Sequence, residues 1–375
     1  MDVRSELVKS NRAFALDLYE RLSHSAGNLI FSPLGISSAL AMAAAGAAGE
    51  TAQELATALR VSLREAQLDA AHAALRELFH RNAEFQQSKA ALSLSSTLWL
   101  QAGISVHATY RERLGRRFGA SVQTLDFVRE PESSRTQINR WASERTHGRI
   151  PDIISDSIHV RTGLVLTSAE YLRAFWQFPF DPEDTKPMRF HTRGKTLTAD
   201  GMHLEKRLSY TEDALAQVLE LPYRDPGLVM FVVLPRRLDG LGECERALFR
   251  SGALEAWSSR LRPTTVAVTL PRFVSVWQSE VSSQLKSLGI RNAFELGRAD
   301  FSGIAAAPLA LGSVYHSARI DVDEEGTEAA GATAMVMTLG ASLTRTRFVA
   351  DHPFLYLLLE PESGSILFLG RLERP

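Results

Sequence analysis

The sequence predicts an α+β fold, with helices concentrated in the first half of the chain and strands in the second. Apolar residues recur at helical spacing in early segments such as residues 5–22. Later segments, such as residues 228–234 and 266–270, are short, rich in apolar and β-branched residues and followed by proline. Because the two kinds of element are segregated along the chain, their order favours α+β over a repeated βαβ arrangement.

Length and composition favour a single domain over residues 1–375 with a sizeable core. The chain has 375 residues, of which 45% are hydrophobic, and it shows no internal repeat, low-complexity tract or linker. Its 42 basic and 43 acidic side chains leave a net charge of −1. Such a chain lacks the excess of basic charge that binds nucleic acids and acidic membrane surfaces, so we expect neither as a partner.

Local patterns predict the elements of the first half in order. Residues 28–40 predict a short strand, a Ser-Pro turn and a helix that is apolar nearly all round and therefore buried. Thr51 and Glu54 have the spacing of a capping box, and residues 64–82 predict another helix. Alternating leucines predict a strand over residues 91–100.

The remaining elements lead from a helical region into a strand-rich one. An arginine-rich helix follows the first strand-like segment, and its mixed charges favour a solvated face over a polyanion site. Pro131 precedes a further helix that stops near Gly148. The apolar-to-small run at residues 164–169 predicts a central strand. The last predicted elements are a helix over residues 279–288 and a strand pair over residues 354–359 and 366–369.

No pattern typical of catalysis or metal binding occurs in the sequence. None of the ten histidines has a metal-ligand spacing, and there is no Gly-x-Ser-x-Gly motif or phosphate-binding loop. Gly240-Leu241-Gly242 is followed by Glu245 where a third glycine would stand, and predicts a turn. Cys244, in the same polar segment, is interpreted as an incidental thiol, and as the one cysteine it cannot form an intramolecular disulfide. We therefore expect no metal, no cofactor and no enzymatic activity.

The first residues of the chain indicate the expected cellular compartment. Met1 is followed by Asp2, Arg4 and Glu6 without an apolar leader, which predicts a cytoplasmic protein as written. An extracellular location would require a leader that has been removed. The most apolar run, residues 39–48, is too short to span a bilayer.

The segment 323–342 is suited to two conformations. It begins with acidic residues and continues with small ones, and its glycines disfavour a helix. As a strand it would place Thr327, Ala329 and Thr333 on an uncharged face and Glu328 on the opposite face. The residues alone allow two interpretations: a flexible linker between strands, or a loop that becomes a half-buried strand in another state.

Several short motifs, taken in order, resemble the serpins, and the likeness covers nearly the whole chain. They comprise residues 28–40 with 46–51, 138–141 with 146–150, Trp176 with Phe180 and Thr185, 220–223, 270–273, 299–302, 352–354 and 368–371. Each motif is weak alone, but the ordered set is very specific.

The resemblance implies a serpin fold of about nine helices packed on three β-sheets, with an exposed reactive-centre loop at about residues 324–347. It also implies a monomer that inhibits serine endopeptidases. The target protease would attack the loop and form an acyl-enzyme, and the cleaved loop would insert into the large sheet and trap it. The alternatives are a non-inhibitory carrier or chaperone, an inhibitor of cysteine proteases, and an enzyme with an unrecognised site.

The resemblance also assigns roles within the opening segment. Its hinge would comprise Glu324, Gly326, Thr327, Ala329, Ala330, Gly331 and Ala332, whose mostly small side chains resemble those of inhibitory members. The family spacing from Glu324 places the reactive bond between Gly340 and Ala341, with Leu339–Gly340 as the alternative. Small or apolar residues at either bond favour an elastase-, subtilisin- or chymotrypsin-like target.

Many serpins hold the large sheet closed with a polar cluster of two serines, an asparagine and a histidine. Ser32 and His316 match that pattern, whereas Gly35 replaces the second serine and Ser168 replaces the asparagine. Trp176 is expected at the top of the same sheet. With fewer side-chain hydrogen bonds available, we expect either water or a shifted partner for His316, or a sheet that is less well latched.

Overall fold

Eight α-helices and fifteen β-strands lie in the part of the chain that the computed structural model describes, namely residues 3–61, 91–156, 158, 163–225, 227–250, 252–327, 346–361 and 363–375. The helices are α1 (Val3–Leu22), α2 (Pro33–Ala44), α3 (Gly49–Ala58), α4 (Ala108–Phe118), α5 (Pro131–Arg145), α6 (Leu241–Phe249), α7 (Ala253–Arg260) and α8 (Ser282–Ser287). The strands are β1 (Leu29–Phe31), β2 (Ala91–Gln101), β3 (Val122–Leu125), β4 (Leu164–Trp176), β5 (Lys186–Thr192), β6 (Lys195–Glu212), β7 (Ala216–Asp225), β8 (Val229–Pro235), β9 (Arg262–Pro271), β10 (Phe273–Glu280), β11 (Leu311–Val322), β12 (Gly326–Thr327), β13 (Thr346–Val349), β14 (Phe354–Glu360) and β15 (Ser365–Leu372). The helix predicted over residues 64–82 lies outside the described residues.

Five strands form a group that we call the main sheet, in the order β3, β2, β4, β11 and β10. β4 and β11 are parallel neighbours, paired from Leu164 with Leu311 to Tyr171 with Arg319. β2 and β10 flank them and run antiparallel to them. Beyond the last of those pairs, the short strand β12 lies between β4 and β11 and is antiparallel to both.

The other strands form two further groups. In one, β1, β15, β14, β8, β7 and the end of β6 follow one another in antiparallel order. In the other, β6 pairs with β5 and β9, and β13 lies parallel to β9. Since β6 belongs to both groups and β7 also pairs with β4, the fifteen strands form one continuous hydrogen-bonded network. The three sheets expected from the sequence correspond to these three groups.

The buried helix α2 lies against the main sheet. Its N terminus begins at Pro33, where the missing N–H of proline removes no helical hydrogen bond. The hydroxyl of Ser32 caps this end by accepting a hydrogen bond from the N–H of Gly35 at 3.1 Å. Because its side chains are almost all apolar, α2 packs against β2, β4 and β15 at once, as its sequence predicts.

The two faces of β4 differ in chemistry. Val165 and Ala169 lie in an apolar cluster with Ile138 of α5. Side chains alternate along a strand, so the intervening residues face the opposite side, where α2 packs. Ser168 and Glu170 belong to this second face, and both are fully buried. The main sheet therefore carries a polar patch beneath it that no water reaches directly.

The capping box predicted at Thr51 and Glu54 is wrong. α3 already begins at Gly49, before Thr51. The Thr51 hydroxyl instead accepts a hydrogen bond from the N–H of Asp300 at 3.0 Å, and the Glu54 carboxylate accepts one from the N–H of Asn292 at 2.8 Å. Tertiary partners have replaced the local cap.

The segment around Cys244 is helical, although the sequence predicts a turn. α6 begins at Leu241, so the turn extends only to Gly240. Cys244 is fully buried in this helix, and burial raises the pKa of its thiol to about 12. Such a thiol is protonated and therefore poorly nucleophilic at neutral pH. The helix predicted over residues 279–288 is also shorter than expected, because β10 continues to Glu280 and α8 covers only Ser282–Ser287.

Candidate functional site

A tight turn links β11 to β12 at one end of the main sheet. The carboxylate of Asp323 accepts hydrogen bonds from the N–H groups of Glu325 and Gly326 at 3.0 and 3.1 Å. The N–H of Asp323 donates in turn to the carbonyl of Gly326 at 2.9 Å. The N–H of Trp176, at the end of β4, donates to the carbonyl of Glu325 at 2.8 Å. The acidic entry to the predicted hinge is therefore an ordered turn fixed to β4.

β12 places the next two residues between β4 and β11. Gly326 pairs with Phe175 and Thr327 pairs with Ala174 on β4, while Thr327 also pairs with Val322 on β11. A Cβ atom on Gly326 would lie 2.0 Å from the carbonyl oxygen of Ala174. Because that obstacle is backbone and cannot rotate away, this position accepts only glycine.

An aromatic pair holds the buried side chain of Thr327. The hydroxyls of Thr327 and Tyr223 lie 2.7 Å apart, and burial raises the pKa of Tyr223 well above its ordinary value, so the phenol stays protonated. The Tyr223 ring stacks on Trp176, with centroids 4.3 Å apart and an angle of 15° between planes. The indole N–H of Trp176 donates to the carbonyl of Asp323 at 2.9 Å. These contacts join β12, the preceding turn and β7.

Glu324 attaches the turn to the connection between β9 and β10. Its Oε1 accepts hydrogen bonds from the Thr185 hydroxyl at 2.6 Å and from the Arg272 guanidinium at 2.5 Å. The Glu324 side chain is 6% exposed, and that of Arg272 is 47% exposed. Burial alone would raise the pKa of Glu324, but the hydrogen bonds from Arg272 and Thr185 outweigh it and hold the pKa below its usual 4.5. Glu324 is therefore ionised at neutral pH.

The geometry of β12 defines a path through the main sheet. β4 and β11 are paired along most of their length, and we call this ladder the seam. Since β12 lies between the two strands and antiparallel to both, a continuation of β12 would enter the seam. Each residue that entered would have to displace one step of the β4–β11 pairing.

A buried polar cluster, comprising Ser32, Ser168, Glu170 and His316, lies along the seam. Ser168 and His316 are direct partners across it, with Ser168 Oγ 3.1 Å from His316 Nδ1. The N–H of Ser32 donates to His316 Nε2 at 3.1 Å. This donor requires an unprotonated Nε2, so the neutral imidazole carries its hydrogen on Nδ1. The cluster thus joins the start of α2 to both strands of the seam.

Glu170 is the member of this cluster that the sequence did not reveal. Its Oε1 accepts a hydrogen bond from Ser168 Oγ at 2.6 Å, and its Oε2 lies 3.2 Å from His316 Nδ1. Gly35 makes the room, because a Cβ atom there would lie 2.0 Å from Oε1. Burial raises the pKa of Glu170, and the contacts with His316 and Ser168 oppose that rise only in part. Glu170 is thus the shifted partner of His316, in the space that Gly35 leaves.

The predicted site residues fall into two places. Ser32, Ser168 and His316 lie together beneath the seam, whereas Trp176 contacts the turn at its end together with Glu324, Gly326 and Thr327. The hinge residues Ala329, Ala330, Gly331 and Ala332 and both candidate reactive bonds, at Leu339, Gly340 and Ala341, lie outside the described residues.

Three residues of this site were not identified from the sequence: Glu170, Tyr223 and Arg272. The available signal for Glu170 was its position as the one charge in the apolar run 164–172. Such a charge on a central strand requires a buried partner. Tyr223 and Arg272 lie within the motifs at residues 220–223 and 270–273, but nothing in those motifs indicates that their side chains contact the turn before β12 or Thr327.

β13, the first described strand after β12, belongs to a different strand group. β13 runs parallel to β9, from Thr346 opposite Val266 to Val349 opposite Thr269. The Gln217 side chain donates to the carbonyl of Arg347 at 2.8 Å. The segment between β12 and β13 is therefore held at both ends, in the main sheet at one end and on β9 at the other.

The described ranges also bear on metal binding and membrane insertion. Within the described ranges, no group of three or more histidine, cysteine, aspartate or glutamate side chains is arranged to hold a metal ion. No helix in the same ranges is long and apolar enough to cross a membrane.

Comparison with known proteins identifies the family. A family model described as serpin (serine protease inhibitor) matches residues 9–375. The chain belongs to the serpin family. The leukocyte elastase inhibitor of Equus caballus is 34% identical to this serpin, over 99% of this chain and 100% of that protein.

Solved structures agree with this membership. Maspin superimposes on this serpin with a TM-score of 0.88 at 25% identity, and the match covers 100% of each chain. Human thyroxine-binding globulin gives a TM-score of 0.87 at 25% identity, over 100% of this chain and 99% of that one. The serpin fold predicted from the sequence is confirmed, and the family is one of protease inhibitors.

Proposed function

We propose that this serpin inhibits serine endopeptidases as a suicide substrate. The observation that carries the proposal is β12: Gly326 and Thr327 already occupy the end of the seam, with Thr327 buried between β4 and β11. The residues that follow, Ala329, Ala330, Gly331 and Ala332, are small enough to continue that strand. The leukocyte elastase inhibitor, one of its relatives, bears a name consistent with this activity.

The trapping step uses the free energy of strand insertion. The protease serine attacks the carbonyl of the reactive bond, forms an ester with the loop and releases a new N terminus. The freed loop then extends β12 along the seam. About a dozen new residues in the sheet, at roughly 0.5–1.5 kcal/mol net per hydrogen bond, yield on the order of 10 kcal/mol. That amount is comparable with the whole stability of a typical domain, so it suffices to distort a tethered protease.

We place the reactive bond at Gly340–Ala341, with Leu339–Gly340 as the alternative. Either bond presents small or apolar side chains, which favours an elastase-, subtilisin- or chymotrypsin-like protease. Arg345 and Arg347 would suit a trypsin-like protease, but they lie too far along the chain. Arg347 moreover belongs to β13, which is paired with β9.

The test is incubation with elastase, subtilisin, chymotrypsin and trypsin, followed by a denaturing gel and sequencing of the released C-terminal peptide. We expect a complex that survives SDS with at least one of the first three proteases. A new N terminus at Ala341 supports the preferred bond, and one at Gly340 supports the alternative. Cleavage by every protease without a stable complex would refute the inhibitor proposal.

Other functions predict different results in this experiment and in two added assays, one with papain and one with small substrates. A carrier, as the likeness to thyroxine-binding globulin suggests, would be cleaved without forming a complex. An inhibitor of cysteine proteases would form its complex with papain, and the thioester would be lost under thiol treatment. Hydrolysis of small ester or peptide substrates by the purified protein would indicate an enzyme.

We also propose that residues 1–375 act as one domain and as a monomer. The continuous hydrogen-bonded network of fifteen strands, in which β6 and β7 connect the three groups, supports a single folding unit. One calorimetric transition and a molar mass near 41.4 kDa by light scattering are the expected results.

A further inference from the structure

The seam contains a carboxyl group in a place where proteins rarely put one. Glu170 lies at the centre of β4, and its side chain has no exposure to solvent. A buried carboxylate loses its hydration and is stable only if nearby groups replace it. The groups around Glu170 therefore decide how firmly β4 and β11 stay together.

The hydrogen bonds of the polar cluster all point towards Glu170. The N–H of Ser32 donates to His316 Nε2, which leaves the Nδ1 hydrogen facing Ser168 Oγ and Glu170 Oε2. The Ser168 hydroxyl then donates to Glu170 Oε1. Because the N–H of Ser32 occupies the Nε2 side of the ring, Nδ1 is the ring nitrogen directed at Ser168 and Glu170. Glu170 is therefore the last acceptor of the chain, and its contact with His316 offsets the cost of its burial only in part.

The hydration of Glu170 is replaced only in part. Oε1 receives one short hydrogen bond, whereas Oε2 lies 3.2 Å from Nδ1 without a well-directed hydrogen bond. Its other neighbours offer no charge: Leu94 lies opposite on β2, Ala318 lies opposite on β11, and Gly35 approaches from α2. Among the described residues, His316 is the titratable side chain that faces it.

We propose that Glu170 is a positioning residue that makes the latch of the seam dependent on pH. In the closed seam the carboxyl group is dry, whereas separation of β4 from β11 exposes it to water. Ionisation therefore favours the open seam, and protonation favours the closed one. The inference rests on the proposed function for its consequence, because loop insertion requires this same opening.

The direction of the effect follows from linkage. A carboxyl group whose pKa is raised in the closed state binds its proton more tightly there than in water. Its contribution to the closed state is complete below the ordinary value of 4.5 and is lost as pH rises through the higher value of the closed seam. Opening of the seam should therefore become easier as pH increases through the range above 4.5.

Amide hydrogen exchange of the intact protein tests this without any protease. The readout is protection of the β4 and β11 amides between pH 5 and pH 8, corrected for intrinsic exchange. In the natural protein we expect protection of the Ser168 and His316 region to fall by about threefold or more across this range. In Glu170→Gln the same amides should change by less than about 1.5-fold, because the amide cannot ionise.

Two further variants make the result specific. Glu220→Gln removes another carboxyl group whose pKa is raised by burial, but Glu220 lies on β7 and pairs with Phe231 of β8. This matched control should keep the pH dependence of the natural protein. Ser168→Ala keeps Glu170 but removes the hydroxyl that stabilises its ionised form, so the fall in protection should move to higher pH.

The outcomes separate this inference from the proposed function. Amide protection that does not change with pH in the natural protein would refute the pH-dependent latch. The same conclusion would follow if protection in Glu170→Gln changed with pH as much as in the natural protein. If Glu170→Gln does not fold, Ser168→Ala decides: a fall in protection at the same pH as in the natural protein would also refute the latch. Failure to form an SDS-stable complex, with the exchange result as expected, would refute only the inhibitory function.

Discussion

Gly35 and Glu170 depend on each other, because the carboxylate occupies the space that a side chain at position 35 would need. A Cβ atom at Gly35 would lie 2.0 Å from Glu170 Oε1 and 2.7 Å from Ser168 Oγ. To admit it, the Glu170 side chain would have to leave both Ser168 and His316. Although Gly35 and Glu170 stand far apart in the sequence, the buried carboxyl group at position 170 therefore requires a glycine at position 35.

This coupling gives the first prediction. Gly35→Ala should lower the free energy of unfolding by about 1–3 kcal/mol, through overpacking and lost hydrogen bonds. In a Glu170→Ala background the same change should cost much less, because the new cavity accepts the methyl group. Urea unfolding of the four proteins measures the coupling. Gly115→Ala, in an open position on α4, is the control and should not destabilise. Additive effects would contradict the prediction.

The second prediction concerns the close approach at Gly326. Gly326→Ala cannot keep β12 in place, since its Cβ atom would meet the Ala174 carbonyl at 2.0 Å. We expect the hinge to leave the end of the seam, with at least about tenfold faster amide exchange at Trp176, whose N–H donates to Glu325. Thr327→Ser keeps a hydroxyl for Tyr223 and should leave the exchange nearly unchanged. Equal protection in both variants would show that β12 tolerates the methyl group.

At the scale of elements, the turn before β12 has a pH dependence opposite to that of the seam. Glu324 accepts hydrogen bonds from Arg272 and Thr185, and its pKa is lowered. A lowered pKa gives stability that is present above the ordinary 4.5 and is lost as pH falls through the folded value. Acid should therefore loosen the turn while it tightens the seam.

The third prediction follows from that opposition. Glu324→Gln should cost about 1–2 kcal/mol of stability at pH 7, because a charged hydrogen bond to Arg272 becomes neutral and Arg272 is half exposed. The difference between variant and natural protein should shrink as pH falls below 4.5, because the unfolded chain then takes up a proton at Glu324, and it should vanish below the lowered pKa of the folded state. Urea unfolding at pH 7 and pH 3.5 measures both values. Glu325→Gln, on the adjacent residue of the turn, is the control; a constant difference would contradict the assignment.

Local patterns predicted some of the elements, such as α2 and β4, but not the helix at Leu241–Phe249 and not the tertiary partners of individual side chains. The apolar run of α2 and the strand-like run in β4 predicted buried elements, and the structure has both. Thr51 and Glu54 suggested a cap, but a hydroxyl and a carboxylate suit any nearby N–H, and tertiary neighbours supplied one. The pairing of Gly35 with Glu170 depends on two elements meeting across the fold, which no local pattern records.

At the scale of the whole molecule, the two ends of the loop segment belong to different strand groups. β12 lies in the main sheet, and β13 is paired with β9. While the loop is intact, β12 can lengthen only if the chain stretches or β13 detaches. We therefore propose that a cut between these strands lets β12 lengthen along the seam. In the alternation expected from the sequence, Thr327 shares a face of the sheet with its partner Ala174, which is buried.

The fourth prediction concerns the thermal stability gained on cleavage. A cut after residue 337 should let the seam accept about a dozen residues, on the order of 10 kcal/mol, and raise Tm by on the order of 10 °C or more. Thr333→Arg should abolish this rise, because alternation from the buried Thr327 places residue 333 on the inward face. Thr333→Ser keeps a small polar side chain on that face and is the control that should retain the rise. Differential scanning calorimetry before and after limited proteolysis gives the values. Equal Tm shifts in the two variants would show that the cleaved loop does not enter the seam in the register that β12 begins.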